Sequence, residues 1–105
     1  MNKAAISLTL CLFFSMPYLA MAQEHGYLPE QGFVSDEQTA MAVAEAVVSR
    51  IYGREKIENQ KPFVATLRNG IWTVSGTLHK NMPGGVFVIK IDKKDSRIIS
   101  LSHEK

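Results

Sequence analysis

Apolar and polar residues alternate with a period of two from Pro62 to the end of the chain. This spacing is typical of strands that turn one face toward a core, and four short runs carry it. Asn69-Gly70, between the first two runs, is a strong hairpin signal because both residues tolerate positive φ. Residues 93–96 form another turn signal, so we predict four strands joined as an antiparallel meander.

A helical period replaces this alternation over residues 35–52. Ser35 with Gln38 matches a capping box, and Gly53 is placed to end the helix. We expect one more short turn afterwards, anchored by Ile57. The residues predicted to form the buried stripe of the main helix are Ala40, Val43, Ala44, Val47 and Ile51.

The predicted fold class is α+β, with one main N-terminal helix packed on a four-stranded antiparallel meander. The helix must cover one face of the sheet, which we expect to include Phe63, Trp72, Val74 and Ile89, with Trp72 in the core. The opposite face is free for solvent or a partner. The residues expected there are Thr66, Arg68, Thr73, Ser75, Thr77, Val88, Lys90 and Ser100. Their hydroxyl, β-branched and basic side chains suit an acidic partner, and equally suit an ordinary solvent-facing sheet.

The stretch GTLHKNMPGGVFVIKI, residues 76–91, contains a glycine pair beside a basic residue. A phosphate-binding glycine loop needs a helix directly after it, whereas an apolar alternating run follows here. We therefore predict a hairpin loop. Its tip displays His79, Lys80 and Met82, which are further candidates for partner binding because exposed loops often carry binding residues.

The first 22 residues have the composition of a signal peptide: a basic start, a short apolar run and the small-residue pattern Ala20-Met21-Ala22. We expect cleavage after Ala22 and a periplasmic or secreted product without a stable membrane anchor. Cleavage would remove Cys11, the one cysteine of the chain. Residues 23–34 lack periodicity and are predicted to be a loop that leads into a single domain at 35–105.

Composition and motif spacing favour a binding protein over an enzyme. The formal net charge of +2 is too small for the basic footprint of a nucleic-acid-binding domain. The three histidines lack partners at metal-ligand spacing, and no serine lies in a recognised nucleophile motif. We therefore predict no metal, no cofactor and no catalytic residues.

The order and spacing of several segments resemble a family of small bacterial immunity proteins with a nuclear transport factor 2-like fold. The segments are DEQTAMAVAEAVVSRIYG on the helix, NGIWTVSGTL on the strands and MPGGVFVIKIDKKDSRIISLSH in the last hairpins. The resemblance covers residues 32–103. Ser96 departs from it, because a glycine is expected after Lys-Lys-Asp. With one main helix, the chain resembles a trimmed, cystatin-like version of that fold, without a deep pocket.

The resemblance implies that the protein binds and occludes a cognate toxin and has no catalysis of its own. A periplasmic small-molecule or peptide-binding module is the alternative, which requires an apolar pocket. A hydrolase or isomerase of the same fold is a third reading, which requires a buried acid or base. A homodimer through the open sheet face would compete with partner binding.

Overall fold

The computed structural model describes residues 26–103, which form one helical layer on one sheet. The elements are α1 (Glu37–Tyr52), α2 (Arg54–Glu58), β1 (Val64–Arg68), β2 (Ile71–Ser75), β3 (Phe87–Asp92) and β4 (Ile98–His103). The strands lie in the order β1-β2-β3-β4 with antiparallel pairing throughout. The prediction of an α+β meander is confirmed. The predicted signal peptide, its cleavage point and Cys11 lie outside the described residues.

Helix α1 begins one residue later than the sequence pattern predicts. Its N-cap is Asp36, whose carboxylate accepts a hydrogen bond from the Thr39 N–H at 2.8 Å. This hydrogen bond lowers the pKa of Asp36. The predicted capping box at Ser35 and Gln38 is therefore wrong, because the stronger neighbouring acceptor closes the first turn instead.

The buried stripe of α1 is narrower than predicted. Ala40, Ala44 and Val48 are fully buried at a spacing of four residues. Val43 and Val47 pack beside them and are half-buried. The prediction that Ile51 is buried is wrong, because its side chain is 55% exposed. At the end of the helix, Val48 and Tyr52 are the residues that contact the core instead. Helix α2 does bury its predicted anchor, Ile57.

The two tight turns use residues at positive φ. Asn69 and Gly70 have φ of 51° and 76°, the mirror-image turn geometry that suits a two-residue hairpin, so the hairpin prediction is confirmed. Ser96 has φ of 69° in the turn between β3 and β4. A residue with a side chain therefore occupies a left-handed position that favours glycine.

The core lies between α1 and the inner face of the sheet. Val74, Phe87 and Ile89 are fully buried there, and Phe63 meets Phe87 edge to face with ring centroids 5.0 Å apart. Trp72 is 4% exposed, and its Nε1–H donates to the Val34 carbonyl at 2.7 Å. The prediction that Trp72 belongs to the core is confirmed, and its polar atom is paired.

The end of the lead-in loop is part of this core. Val34 is 1% exposed, and the N–H groups of Phe33 and Val34 donate to the carbonyls of Lys94 and Lys93. Gly32 approaches the same turn so closely that a Cβ there would lie 2.5 Å from the Lys93 carbonyl oxygen. The sequence pattern of this segment gave no sign of this docking.

Candidate interaction face

The register of the strands arranges the outward side chains in rows across the sheet. The central row is Thr66, Thr73, Lys90 and Ser100. The row toward the β2–β3 loop is Val64, Ser75, Val88 and Ser102. The row toward the opposite end is Arg68, Ile71 and Asp92. We call these three rows the open face, because α1 packs on the other side of the sheet.

The open face is electrostatically positive. Arg68 and Lys90 are exposed, and neither forms a salt bridge with any residue in 26–103. Asp92, the acidic residue of the three rows, accepts from the Lys94 N–H at 2.8 Å and lies 3.5 Å from the Arg97 guanidinium. The Lys94 hydrogen bond is the main reason that the pKa of Asp92 is lowered. The negative charge of Asp92 is thus compensated by its neighbours. Arg68 and Lys90 have no acidic partner among residues 26–103 and can interact with a ligand.

Six of the ten predicted binding residues share this face. They are Thr66, Arg68, Thr73, Ser75, Val88 and Lys90. Ser100, also expected there, pairs with Lys90 in the central row. The alternation of apolar and polar residues therefore correctly predicted that these residues lie on one side of the sheet. Their role in binding stays a prediction.

The other four predicted binding residues lie in the β2–β3 loop, whose first half folds back on the segment before β1. The Thr77 hydroxyl donates to the Pro62 carbonyl, and His79 Nε2 donates to the Lys61 carbonyl at 2.6 Å. Met82 is half-buried beside Gln60, whereas Lys80 is exposed. Thr77 and His79 therefore secure the loop, and Lys80 is the charged side chain that it presents.

Gln60 closes the end of the sheet next to this loop, and the sequence patterns did not identify it. Its side chain is 1% exposed, and its Oε1 accepts from the Phe87 N–H at 2.9 Å. The amide Nε2 lies 3.1 Å from His103 Nε2, within hydrogen-bond distance. Gly76 makes room for the amide, because a Cβ at that position would lie 2.4 Å from Gln60 Oε1. The glycine that ends the alternating run Trp72, Val74, Gly76 was the available signal.

Lys61, next to Gln60, joins the helical layer to the sheet. Its ammonium lies 3.0 Å from Glu45 and 3.3 Å from Glu58. The hydrogen bond with Glu45, followed by that with Glu58, raises the pKa of Lys61. The ammonium also lies 5.7 Å from the centre of the Phe63 ring. Glu45 and Glu58 of the helical layer are thus paired with Lys61.

Three clefts on the described surface have volumes of about 520, 570 and 160 Å³. The first separates Leu28 and Gln31 of the lead-in from Asn69 and Asp92 of the turns. The second lies outside α1 and α2, and the third beside Gln60 and Met82. None of the three is lined by a member of the apolar core cluster, so none penetrates between helix and sheet.

Two further searches cover the described part of the chain. Residues 26–103 contain no group of three or more histidine, cysteine, aspartate or glutamate side chains placed to hold a metal ion. No helix within the same range is long and apolar enough to cross a membrane.

The fold and this face define a small α+β domain whose sheet is covered on one side and presents a positive, hydroxyl-rich surface on the other. The chain belongs to the NTF2-fold immunity protein family, whose family model matches residues 39–105. The expected resemblance to immunity proteins is therefore confirmed, and so is the fold class that it implied.

Two curated relatives come from Escherichia coli K12, and both are uncharacterised. YhhH is 34% identical over 84 residues, which are 79% of this chain and 66% of the relative. YbbC is 36% identical over 73 residues, which are 69% of this chain and 60% of the relative. The chain thus spans just under two thirds of the length of these relatives. No solved structure shows significant similarity.

Proposed function

We propose that this protein is an exported immunity protein that binds a cognate bacterial toxin and blocks it by covering the toxin's working surface. The observation that carries the proposal is membership of an immunity protein family. The open face supplies a suitable surface, because it is rich in hydrogen-bonding hydroxyls and positive at Arg68 and Lys90. An acidic patch on the toxin would complement it and speed the encounter.

The small area of the open face supports the inclusion of the β2–β3 loop in the proposed interface. Four strands about 4.8 Å apart, each about 17 Å long, give a flat area of roughly 300 Å². A standard protein interface buries about 800 Å² on each partner. A toxin that covers the open face must therefore extend past it, and Lys80 in the β2–β3 loop is exposed and cationic at one end. The proposed interface is the open face together with this loop.

The composition of the described core agrees with a protein that acts by binding alone. Gln60 is the buried polar residue among 26–103, and an amide cannot serve as a general acid or base at neutral pH. The reading as a hydrolase or isomerase needs a buried acid or base, which the described core does not provide. The reading as a small-molecule module needs an apolar pocket, and the three clefts lie outside the core cluster.

Export places the encounter with the toxin in the periplasm. The basic start, apolar run and Ala20-Met21-Ala22 site at the beginning of the chain support export. A toxin that is neutralised there would attack the cell wall or membrane rather than cytoplasmic nucleic acid. Fractionation of cells should recover the processed protein from the periplasm, with Gln23 at its terminus. Recovery from the cytosol would contradict this part of the proposal.

Co-expression with a neighbouring gene tests the proposal as a whole. A large open reading frame directly upstream of this gene, where one is found, is the candidate toxin to test, and its product should kill host cells when exported alone. Co-expression of this protein should restore growth, and an affinity tag on it should recover the toxin. Val74→Asp serves as the unfolded control, because it places an unpaired charge at a fully buried position. This variant should not protect the cells. Protection without a complex would contradict occlusion.

A further inference from the structure

Asn69 and Gly70, the two residues of the turn between β1 and β2, are exposed and make few contacts. The Asn69 side-chain amide has no hydrogen-bond partner among residues 26–103. Gly70 is anchored through its carbonyl, which accepts from the Lys93 N–H at 2.9 Å, whereas its own N–H donates to no residue in 26–103. A Cβ built at Gly70 would meet no atom within 4 Å. An unpaired side-chain amide thus precedes an unpaired and unshielded backbone nitrogen.

The two other asparagines of the described range differ in this respect, because the N–H that follows each of them is occupied. Each of these N–H groups donates to the carbonyl three residues earlier in the chain, at 2.9 Å for Gln60 and 3.1 Å for Met82. The side chain of Gln60 is buried and that of Met82 is half-buried. The asparagines concerned are Asn59 and Asn81.

We propose that Asn69 is a site of spontaneous modification, at which the side-chain amide is converted to a carboxylate through the nitrogen of Gly70. That nitrogen attacks the side-chain carbonyl carbon of Asn69, and a new C–N bond closes a succinimide ring. The bond to the side-chain nitrogen breaks, and this nitrogen leaves as ammonia with the proton of the Gly70 N–H. Water then opens the ring at either carbonyl, which gives aspartate or isoaspartate at position 69.

The surroundings of the attacking nitrogen make this step selective for Asn69. Gly70 has no side chain to hinder the approach and permits more backbone conformations than other residues. The N–H groups of Gln60 and Met82 must first break a hydrogen bond, which costs free energy before any reaction begins. Asn59 and Asn81 should therefore react much more slowly than Asn69.

The two products change the end of the open face at which Arg68 lies. Aspartate at position 69 is ionised at neutral pH and places a negative charge directly beside the exposed Arg68. This product keeps the turn, because aspartate, like asparagine, tolerates the φ of 51° found there. Isoaspartate carries the chain through its side-chain carbon, so it adds an atom to a two-residue turn that pairs Arg68 with Ile71.

The consequence for binding rests on the proposed function. With an acidic toxin as partner, a negative charge beside Arg68 should slow the encounter. Asn69→Asp is a permanent copy of the first product. It should associate more slowly than wild type with the toxin identified by the co-expression experiment, and the difference should shrink at high salt. Equal association rates would overturn this consequence, whereas mass measurement decides the modification itself without any toxin.

Mass spectrometry of the purified protein tests the modification. The folded protein is kept in mildly alkaline buffer and sampled over time, and trypsin then puts Asn59, Asn69 and Asn81 on separate peptides. The peptide that begins at Asn69 should gain the mass difference between an amide and a carboxylic acid, and an isoaspartyl methyltransferase should methylate it. The other two peptides should stay unchanged. No change at Asn69 after a free peptide of residues 64–75 has been fully converted, or equal conversion at all three asparagines, would overturn the proposal.

Two variants separate the effect of structure from that of sequence. Met82→Gly creates a second asparagine–glycine pair, but its N–H lies where Met82 donates to the His79 carbonyl. Asn81 in this variant should be converted more slowly than Asn69 in the folded protein, and at a similar rate in urea. Asn69→Gly suits the positive φ of the turn and has no amide to lose, so it should keep a native circular dichroism spectrum and show no mass gain at position 69. Equal rates at Asn69 and Asn81 in folded Met82→Gly would overturn the structural basis of the proposal.

Discussion

The two faces of the sheet come from the same strands and meet opposite requirements. Phe87 and Ile89 point into the core and are fully buried, whereas Val88 and Lys90, their neighbours in β3, point to the open face. The inner residues are constrained by packing, because each must fill space against α1. The outer residues need only be compatible with the extended backbone of a strand. Their identities are therefore free to serve recognition, and changes on the two faces should separate stability from binding.

Replacement of a core aromatic should give the largest difference between the faces. Phe87→Ala removes a ring that packs edge to face with Phe63, and such truncations cost about 3–5 kcal/mol. Val88→Ala, one residue further along on the open face, should cost less than about 1 kcal/mol. Urea denaturation followed by tryptophan fluorescence measures both, since Trp72 lies in the core. Equal losses would show that the open face is packed as tightly as the core.

Gly76→Ala should give the next largest effect, at the end of the inner face. The new Cβ would lie 2.4 Å from Gln60 Oε1 and displace the amide from the Phe87 N–H, which we expect to cost about 1–3 kcal/mol. Gly26→Ala, with no atom within 4 Å of the new Cβ, is the matched control and should change stability by less than about 0.5 kcal/mol. Combination with Gln60→Ala should be less damaging than the sum of the two single changes. Strict additivity would show that the two residues do not interact.

Ser96→Gly should stabilise the protein modestly at a turn that belongs to neither face. Ser96 has φ of 69°, and relief of this left-handed conformation should contribute about 0.5–1 kcal/mol. The same exchange at Ser100, within β4, should destabilise by a similar amount because glycine weakens a strand. Thermal unfolding of the two variants should therefore shift in opposite directions. A lower melting temperature for Ser96→Gly would mean that the serine side chain makes a compensating contribution.

Charge reversal on the open face should have the smallest effect on stability. Arg68→Glu and Lys90→Glu change exposed side chains that form no salt bridge with residues 26–103. We expect each to alter the free energy of unfolding by less than about 0.5 kcal/mol. The urea midpoint measures this. A loss comparable to that of Phe87→Ala would remove the distinction between the faces.

The sequence predicted most of the sheet because alternation, turn residues and strand order are local signals. Asn69-Gly70 set the first hairpin, and the period of two placed Trp72 and Lys90 on opposite faces. The same alternation correctly assigned most of the candidate interaction face. The function of those residues does not follow from periodicity, since a solvated sheet carries the same pattern.

The parts that escaped prediction depend on contacts between residues far apart in the chain. Gln60 becomes a core residue because it bonds to Phe87, and Val34 does so because it accepts from Trp72. The loop at His79 turns back because it meets the Lys61 carbonyl. Each of these contacts joins one single residue to another that is distant in the chain. No repeated spacing in the sequence announces such a contact. Only Gly32 and Gly76, which allow close backbone approach, left a trace in the sequence.

The affinity of two double charge reversals for the toxin tests the central claim most directly. Arg68→Glu/Lys90→Glu changes the open face, and Arg50→Glu/Arg54→Glu makes the same change in net charge at the exposed surface beyond α1. With the toxin identified by the co-expression experiment as ligand, titration calorimetry should show at least a 100-fold weaker Kd for the first variant, equivalent to about 2.7 kcal/mol. The second should bind within threefold of wild type. Unchanged binding by Arg68→Glu/Lys90→Glu, with a native circular dichroism spectrum, would contradict the open face as the interface.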